Sequence, residues 1–139
     1  MRILGIDLGD SRTGLAVSDE SCFLAGGLGT FTVYTDEKKL ALILEKIAEY
    51  KIAEVVVGNP INMNGTHGER SQKAEAFAER LREASGLPVH LFDERCTTMQ
   101  AHQIMNFTDT RGKKRKNAVD TLSAQIILQN YLDSRPKKV

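Results

Sequence analysis

Residues Met1–Gly14 have the sequence MRILGIDLGDSRTG, and the predicted fold is built outward from them. The apolar run in this segment is typical of a β-strand, but a carboxylate interrupts it. An unpaired, desolvated carboxylate costs several kcal/mol, so a strand core is an unfavourable place for one. Asp7 lies near the carboxyl end of this predicted strand, and Gly9 and Gly14 follow it. The pattern therefore marks Asp7 as a candidate functional residue and predicts a tight turn after it.

Two further strands are predicted after this turn. The segment TGLAVSD (13–19) has the apolar character of a strand, and GTFTVYT (29–35) is rich in β-branched and aromatic residues. Together with the first strand they predict an antiparallel meander at the start of the chain.

The remainder of the chain alternates between helical and strand patterns. Asp36 is a candidate N-cap for a first helix, and Gly86 and Pro88 end a second one. The strands EVVVGNP (54–60) and PVHLFDE (88–94) follow these helices in turn. Thr97 and Gln100 form a capping-box pattern for a short helix, and a basic loop, TRGKKRK (110–116), leads into the last helix. The predicted apolar stripes of the three longer helices are Leu40, Ile43, Leu44, Ile47 and Ala48; Ala74, Phe77, Ala78 and Leu81; and Val119, Leu122, Ser123, Ile126, Ile127 and Tyr131.

This order of elements predicts an α/β fold: a mixed five-stranded sheet, with three antiparallel strands followed by parallel strands, and helices on both faces. The helical crossovers between the later strands make those strands parallel. We expect a single domain over residues 1–139, with a frayed tail from about residue 134. In open sheets of this kind, ligands bind beyond the carboxyl ends of the strands.

Charge and cysteine content exclude several classes of protein. The chain has 19 Lys and Arg against 18 Asp and Glu, so a nucleic-acid surface must come from local clustering rather than from net charge. Its two cysteines form no CxxC pair, which argues against a zinc site and a disulfide framework. We find no signal peptide and no run of the roughly 18–20 apolar residues that a membrane span needs. A cytoplasmic protein without a membrane partner is expected.

Acidic residues stand at the ends of several predicted elements. Asp7 is near the end of the first strand, Asp93 and Glu94 close the last strand, and Asp120 lies in the first turn of the final helix. If these positions meet at one edge of the sheet, the carboxylates repel one another unless a cation joins them, and carboxylates without His or Cys favour Mg²⁺ or Mn²⁺. Two such ions promote phosphodiester hydrolysis, and Gly9 would let a phosphate approach Asp7 closely.

Each of these acids also has a simpler interpretation. A strand-end aspartate often forms a turn, and Glu94 with Arg95 can be a surface ion pair worth less than about 1 kcal/mol. Asp120 can simply favour the dipole of its helix. The occurrence of three acids at one end of the inferred sheet favours the functional interpretation.

Cationic residues cluster just before the helix that carries Asp120. The run RGKKRK (111–116) contains no aromatic residue, so it would contact a phosphate backbone rather than stack on bases. The residues predicted to bind nucleic acid are Arg12, Arg70, Arg95, Lys113, Lys114, Arg115 and Lys116.

Five segments, which span most of the chain, together resemble the YqgF/RuvX family: GIDLGDSRTGLAVSD, VVVGNPINMNGT, RSQKAEAFAERL, FDERCTT and KNAVDTLSAQIILQNYL. This family is ribonuclease H-like and related to RuvC-type resolvases. Its members are described as Holliday junction resolvases or as nucleases that mature the 5′ end of pre-16S rRNA. The resemblance implies a metal-dependent endonuclease in which Asp7, Glu94 and Asp120 are the catalytic acids and bind two Mg²⁺ or Mn²⁺ ions.

Other functions stay open on the sequence alone. The segment GIDLG also resembles the first phosphate loop of actin-like ATPases and sugar kinases, which need two such domains to enclose a nucleotide. A non-catalytic nucleic-acid-binding module would keep the basic run but would not need all three acids. For a nuclease, pre-16S rRNA is the leading substrate and branched DNA is the alternative, with the protein acting as a monomer or a homodimer.

Overall fold

The computed structural model describes residues 1–9, 12–59, 68–93 and 112–134, with side chains for all of these except 93 and 112–120. Five strands are described: β1 (Arg2–Leu8), β2 (Arg12–Ser18), β3 (Ala25–Thr32), β4 (Ile52–Asn59) and β5 (Val89–Asp93). The helices in the described residues are α1 (Asp36–Tyr50), α2 (Glu69–Ser85) and α3 (Gly112–Ser134). The short helix predicted after Thr97 lies outside the described residues.

The strands form one sheet in the order β3-β2-β1-β4-β5, so β1 is central. β1 pairs with β2 and β2 pairs with β3 in antiparallel fashion, whereas the β1–β4 and β4–β5 pairs are parallel. The parallel pairs arise because α1 and α2 carry the chain back to the starting edge of the sheet. The predicted mixed five-stranded sheet with helices on both faces is therefore confirmed.

The two faces of the sheet are covered by different helices. One core contains Leu4 and Ile6 of β1 and packs against α1 and α2, whereas the other contains Ile3 and packs against α3. Successive residues of a strand face opposite sides of a sheet. Gly5 and Asp7 therefore lie on the α3 face, and Leu8 lies on the α1/α2 face.

Helix α3 runs antiparallel to the central strand. Its Gln129 side chain donates to the Phe23 carbonyl at 2.9 Å, and its Thr121 hydroxyl lies 2.6 Å from that of Thr30. Residue numbers therefore decrease along α3 in the direction in which they increase along β3. β3 is parallel to β1 because two antiparallel pairings separate them. The amino-terminal half of α3 consequently lies over the carboxyl ends of β1 and β3.

The closest contact between α3 and the sheet is made at Gly5. A Cβ atom placed there would lie 2.7 Å from Leu128 Cβ and 3.2 Å from the Ala124 carbonyl oxygen. No side chain larger than hydrogen fits between β1 and the helix backbone at this point. Gly5 therefore determines how closely α3 approaches the central strand.

Strand β3 differs from its predicted bounds. It begins at Ala25 rather than at residue 29 and ends at Thr32. Three of its residues are Gly26, Gly27 and Gly29, which have low intrinsic strand propensity. They are nevertheless held as a strand because each pairs with a residue of β2.

The amino terminus of α1 is capped one residue earlier than predicted. Thr35, not Asp36, has the extended cap conformation, and its hydroxyl accepts a hydrogen bond of 3.2 Å from the Lys38 backbone N–H. Asp36 belongs to the first turn of the helix. Ile43 of the predicted stripe is buried, but Ala48 is exposed because the helix turns that position away from the sheet.

The predicted end and apolar face of α2 are confirmed. Gly86 adopts the left-handed conformation with φ of 70° and donates its N–H to the Arg82 carbonyl at 3.0 Å. The predicted stripe of Ala74, Phe77, Ala78 and Leu81 is buried throughout.

One prediction about α3 is wrong, and another is confirmed only in part. The helix begins at Gly112, so the basic run is helical rather than a loop. Its buried side chains among residues 121–134 are Ser123, Ala124, Ile127, Leu128 and Leu132. Ser123 and Ile127 of the predicted stripe are buried as expected, whereas Leu122, Ile126 and Tyr131 are half-buried. The stripe is shifted because the space above Gly5 admits the small Ala124 and the Leu128 Cβ atom. None of the described helices is long and apolar enough to cross a membrane.

We expect Gly5→Ala to lower the free energy of unfolding by about 1–3 kcal/mol, because its methyl group would push α3 away from β1. Gly26→Ala is a matched control, since a Cβ atom there would make only an ordinary 3.7 Å contact with the Val17 carbonyl. Urea unfolding monitored by circular dichroism compares the two variants. Equal stabilities would contradict the close contact at Gly5.

Candidate functional site

Asp7 is the penultimate residue of β1 and is half-buried. It pairs in register with Gly14 of β2, so no side chain from the adjacent residue stands beside it on the α3 face. The sequence predicted Asp7 near the carboxyl end of the first strand, and the structure confirms this position and shows that the strand is the central one. Its desolvation cost is correspondingly smaller than a fully buried carboxylate would bear.

The backbone of Asp120 lies on the same side of the sheet as Asp7. Asp120 is one helical turn before Ala124, which contacts Gly5, and Asp7 is two residues beyond Gly5 on β1. Four helical residues rise by about 6 Å and two strand residues advance by about 6.6 Å, in matching directions because the elements are antiparallel. The fold therefore brings the Asp7 and Asp120 positions to the same edge.

The remaining predicted acid, Glu94, lies outside the described residues, as does Arg95. Asp93 is the last residue of β5 and pairs in register with Asn59, at the carboxyl end of β4. Within the described side chains, no cluster of three or more His, Cys, Asp or Glu residues could hold a metal ion. Of the three predicted acids, only Asp7 is among these described side chains.

Gly9 has a structural role that the sequence did not reveal. A Cβ atom at Gly9 would overlap the Arg12 carbonyl oxygen, so the chain itself requires glycine there. The Gly9 carbonyl in turn accepts a 2.9 Å hydrogen bond from Lys39 Nζ of α1. The predicted phosphate approach at Gly9 stays a prediction, because the close contact with Arg12 already accounts for the glycine.

The predicted cations occupy separate parts of the fold. Arg12 begins β2 and is half-buried, whereas Arg70 is exposed in the first turn of α2. Lys113, Lys114, Arg115 and Lys116 occupy the first two turns of α3. Arg70 is thus on the α1/α2 face, opposite the face on which Asp7 and α3 lie.

Arg70 belongs to a cationic pocket that sequence analysis missed. The pocket has a volume of about 410 Å³ and lies between α1 and α2, beside Leu8 and Gly9. Its other cations are Lys39, Lys73 and Arg80. The spacing of Arg70, Lys73 and Arg80 on one face of α2 is the sequence signal for it. Lys39 carries no such signal, because only the packing of α1 brings it to the pocket.

Asp19 has the structural role that is common for strand-end aspartates. The Ser21 hydroxyl donates to its carboxylate at 2.6 Å, and the Phe23 and Leu24 backbone N–H groups donate at 2.8 and 3.2 Å. These hydrogen bonds, with that from Ser21 the strongest influence, lower the pKa of Asp19. Asp19 therefore organises the turn between β2 and β3.

Comparisons with known proteins agree with this architecture. A family model, RuvX, described as "Holliday junction resolvase", matches residues 1–134. The "Putative pre-16S rRNA nuclease" of Thermoanaerobacter pseudethanolicus is 44% identical over 99% of this chain and 100% of that protein. The protein of the same name from Ruminiclostridium cellulolyticum is 45% identical over 96% of this chain and 94% of that one.

A solved structure shows the same arrangement of strands and helices. RuvC of Thermus thermophilus, in complex with a Holliday junction substrate, matches with a TM-score of 0.60 at 18% identity, over 97% of this chain and 95% of that one. The fold is therefore that of a ribonuclease H-like, resolvase-type domain. The chain belongs to the RuvX family of Holliday junction resolvases. This membership favours the nuclease over the actin-like ATPase that the segment GIDLG also suggested.

We expect Gly9→Ala to destabilise the protein in the absence of nucleic acid by about 1–3 kcal/mol, because its methyl group would meet the Arg12 carbonyl. Thermal unfolding without ligand measures this effect directly. If Gly9→Ala were as stable as the parent and had lost only nucleic-acid binding, the glycine would instead be required by an approaching phosphate.

Proposed function

We propose that this protein is a divalent-metal-dependent endonuclease whose active site comprises Asp7, Glu94 and Asp120 and whose substrate is pre-16S rRNA. The observation that carries the proposal is the position of Asp7, at the carboxyl end of the central strand and on the face covered by α3. Family membership supports a phosphodiester-cleaving activity. The names of the two relatives support the choice of RNA.

The position of Asp7 fits a hard divalent cation. It is half-buried, so its carboxylate is held by the strand and still reaches solvent at the sheet edge. Carboxylate oxygens are the ligands that Mg²⁺ and Mn²⁺ prefer. Asp120 on α3 and Glu94, which directly follows β5 in the chain, would supply the other carboxylates.

The protein's contribution to catalysis would be position and charge. When bound, divalent ions at such a site lower the pKa of a water molecule and stabilise the departing oxygen. β1 holds the Asp7 carboxylate on a rigid central strand, and the Gly5 contact sets the distance of α3 from it. Charged groups that are already in position do not have to move during the reaction, and this preorganisation is usually the largest electrostatic contribution to catalysis.

Branched DNA is the second candidate substrate. The family description names the Holliday junction, and the matching RuvC structure contains one. The relatives at 44% and 45% identity are named for pre-16S rRNA, and we give them more weight because the RuvC match is only 18% identical. Cleavage of a four-way junction and of a pre-16S rRNA fragment, side by side with Mg²⁺ or Mn²⁺, distinguishes the two.

We expect Asp7→Asn to reduce single-turnover cleavage by at least about a thousandfold, because it removes the charge and keeps the shape of the side chain. Folding and most nucleic-acid binding should persist, since binding depends on cationic residues. Asp133→Asn, an exposed acid near the far end of α3, is the matched control and should cleave like the parent. Purification must exclude host nucleases.

A calorimetric titration with Mn²⁺ gives the same variant a second readout. Asp7→Asn should bind Mn²⁺ much more weakly than the parent or Asp133→Asn. Cleavage by Asp7→Asn at the parental rate would place the active site elsewhere and favour a non-catalytic binding module. Weaker cleavage with unchanged Mn²⁺ binding would remove Asp7 from the metal site.

The basic residues at the start of α3 should contribute affinity without sequence preference. We expect one or two of Lys113, Lys114 and Lys116 to contact phosphates, and each phosphate contact contributes about one unit to the dependence of log affinity on log salt. Changing all three to Ala should lower the slope of log affinity against log salt by about one to two units. Unrelated sequences should lose affinity about equally, and an unchanged slope would exclude phosphate contacts by this run.

A further inference from the structure

We propose that the pocket between α1 and α2 binds a backbone phosphate of the nucleic-acid substrate, at a distance from the bond that is cleaved. Within the part of the chain that the structure describes, the charged residues that line the pocket are Lys39, Arg70, Lys73, Arg80 and one acid, Asp36. This inference rests on the proposed nuclease function for the identity of the polyanion. The cations that line the pocket define an anion-binding site whatever the polyanion is.

The ammonium group of Lys39 is incompletely satisfied within the described residues. Its side chain is only 10% exposed, and a buried charge needs partners that replace water. Lys39 Nζ donates to the Gly9 carbonyl at 2.9 Å, whereas its ion pair with Asp36 spans 4.0 Å. An ammonium group has three donors. A phosphate oxygen in the pocket would accept a hydrogen bond from an N–H group of Lys39 that neither of these two contacts satisfies fully.

The acids around the pocket neutralise its cations weakly. Arg80 shares Asp36 with Lys39, again at 4.0 Å, and lies 3.8 Å from Glu37. Lys73 pairs with Glu69 at 3.5 Å. The carboxylate groups of Glu37 and Glu69 are about four-fifths exposed, and such surface pairs contribute little. A doubly hydrogen-bonded phosphate would compete with them favourably.

Arg70 is the cation most available to a ligand. It is exposed, lines the pocket and forms no ion pair or hydrogen bond with the residues that the structure describes. Its planar guanidinium group can bind two phosphate oxygens at once. Arg70 also stands in the first turn of α2, where the backbone N–H groups favour an anion.

The pocket and Asp7 lie on opposite faces of the same sheet edge. Leu8 and Gly9, which line the pocket, directly follow Asp7 in the chain. A strand of nucleic acid that crosses the carboxyl end of β1 would therefore pass from the carboxylates on the α3 face to the cations on the α1/α2 face. The pocket would hold the strand in register while the carboxylates act on another phosphate.

The double substitution Arg70→Gln and Lys73→Gln tests the pocket. Both residues are exposed, and among the described residues Lys73 pairs only with Glu69 of its own helix, so the contact that Arg80 makes between α1 and α2 stays intact. The charge-matched control is Lys46→Gln with Lys51→Gln, at the opposite end of α1. Circular dichroism and urea unfolding establish that both variants are folded.

We expect the pocket variant to bind junction DNA and pre-16S rRNA roughly tenfold more weakly and to lose about one unit of salt slope. The control pair should keep the parental slope. The KM of cleavage should rise by a similar factor, while the single-turnover rate at saturating protein stays unchanged, because the catalytic carboxylates are untouched. A fall in rate at saturation without a change in salt slope would overturn the proposal.

The outcomes separate this inference from the proposed function. If the parent cleaves nucleic acid and the pocket variant keeps the parental salt slope, the pocket does not bind the phosphate backbone. The same conclusion follows if the control pair loses as much salt slope as the pocket variant. If the parent binds nucleic acid without cleaving it, the nuclease proposal fails, while a lower slope in the pocket variant still supports the phosphate site. Titration with inorganic phosphate completes the test. If the parent binds phosphate, and the double substitution Arg70→Gln and Lys73→Gln abolishes that binding without changing nucleic-acid affinity, the pocket binds a free anion. That result would overturn the proposal.

Discussion

The contact between Gly5 and α3 is the constraint on which the rest of the site depends. With the Leu128 Cβ atom and the Ala124 carbonyl lying against a glycine, the helix backbone rests almost directly on the central strand. Side chains cannot adjust this distance, because the interior is close-packed and one of the contacting atoms belongs to the backbone. The separation of the Asp7 and Asp120 positions follows from it.

Successive side chains of β1 face opposite sides of the sheet, and this separates the proposed catalytic site from the proposed phosphate-binding pocket. Asp7 faces α3, whereas Leu8 faces α1 and α2, so adjacent residues belong to the proposed catalytic site and to the cationic pocket. A sheet is only one backbone thick, so a nucleic-acid strand can contact both surfaces at the edge. This geometry keeps the cations of the pocket away from the carboxylates that would bind metal, which limits direct neutralisation between them.

The turn after β1 shows how one short segment can serve packing and function together. Gly9 is required by the Arg12 carbonyl, and its own carbonyl is held by the buried Lys39 of α1. That hydrogen bond ties the end of the central strand to the first turn of α1. The same lysine lines the cationic pocket, so the position of the strand end and the shape of the pocket are coupled through one side chain.

The sequence alone determined the elements whose signals are local. The apolar periodicity of α2 and the glycine at 86 predicted its buried face and its end, because both depend on residues within the helix. The order of strands and helices predicted the mixed sheet, and the family resemblance named the three acids. Local signals were weaker where β3 is rich in glycine, and its true start at Ala25 is set by pairing with β2.

Only the tertiary structure decided the remaining features, because they join residues far apart in the chain. The buried stripe of α3 is centred on Ala124 and Leu128 since Gly5, more than a hundred positions earlier, leaves space for them. The sequence placed Asp7 near the end of its strand, but its half-buried state follows from the elements that pack around it. The cationic pocket combines Lys39 of α1 with Arg70 of α2, and no spacing rule connects residues on two helices that a strand separates. Their proximity arises only because both helices pack on the same face of the sheet.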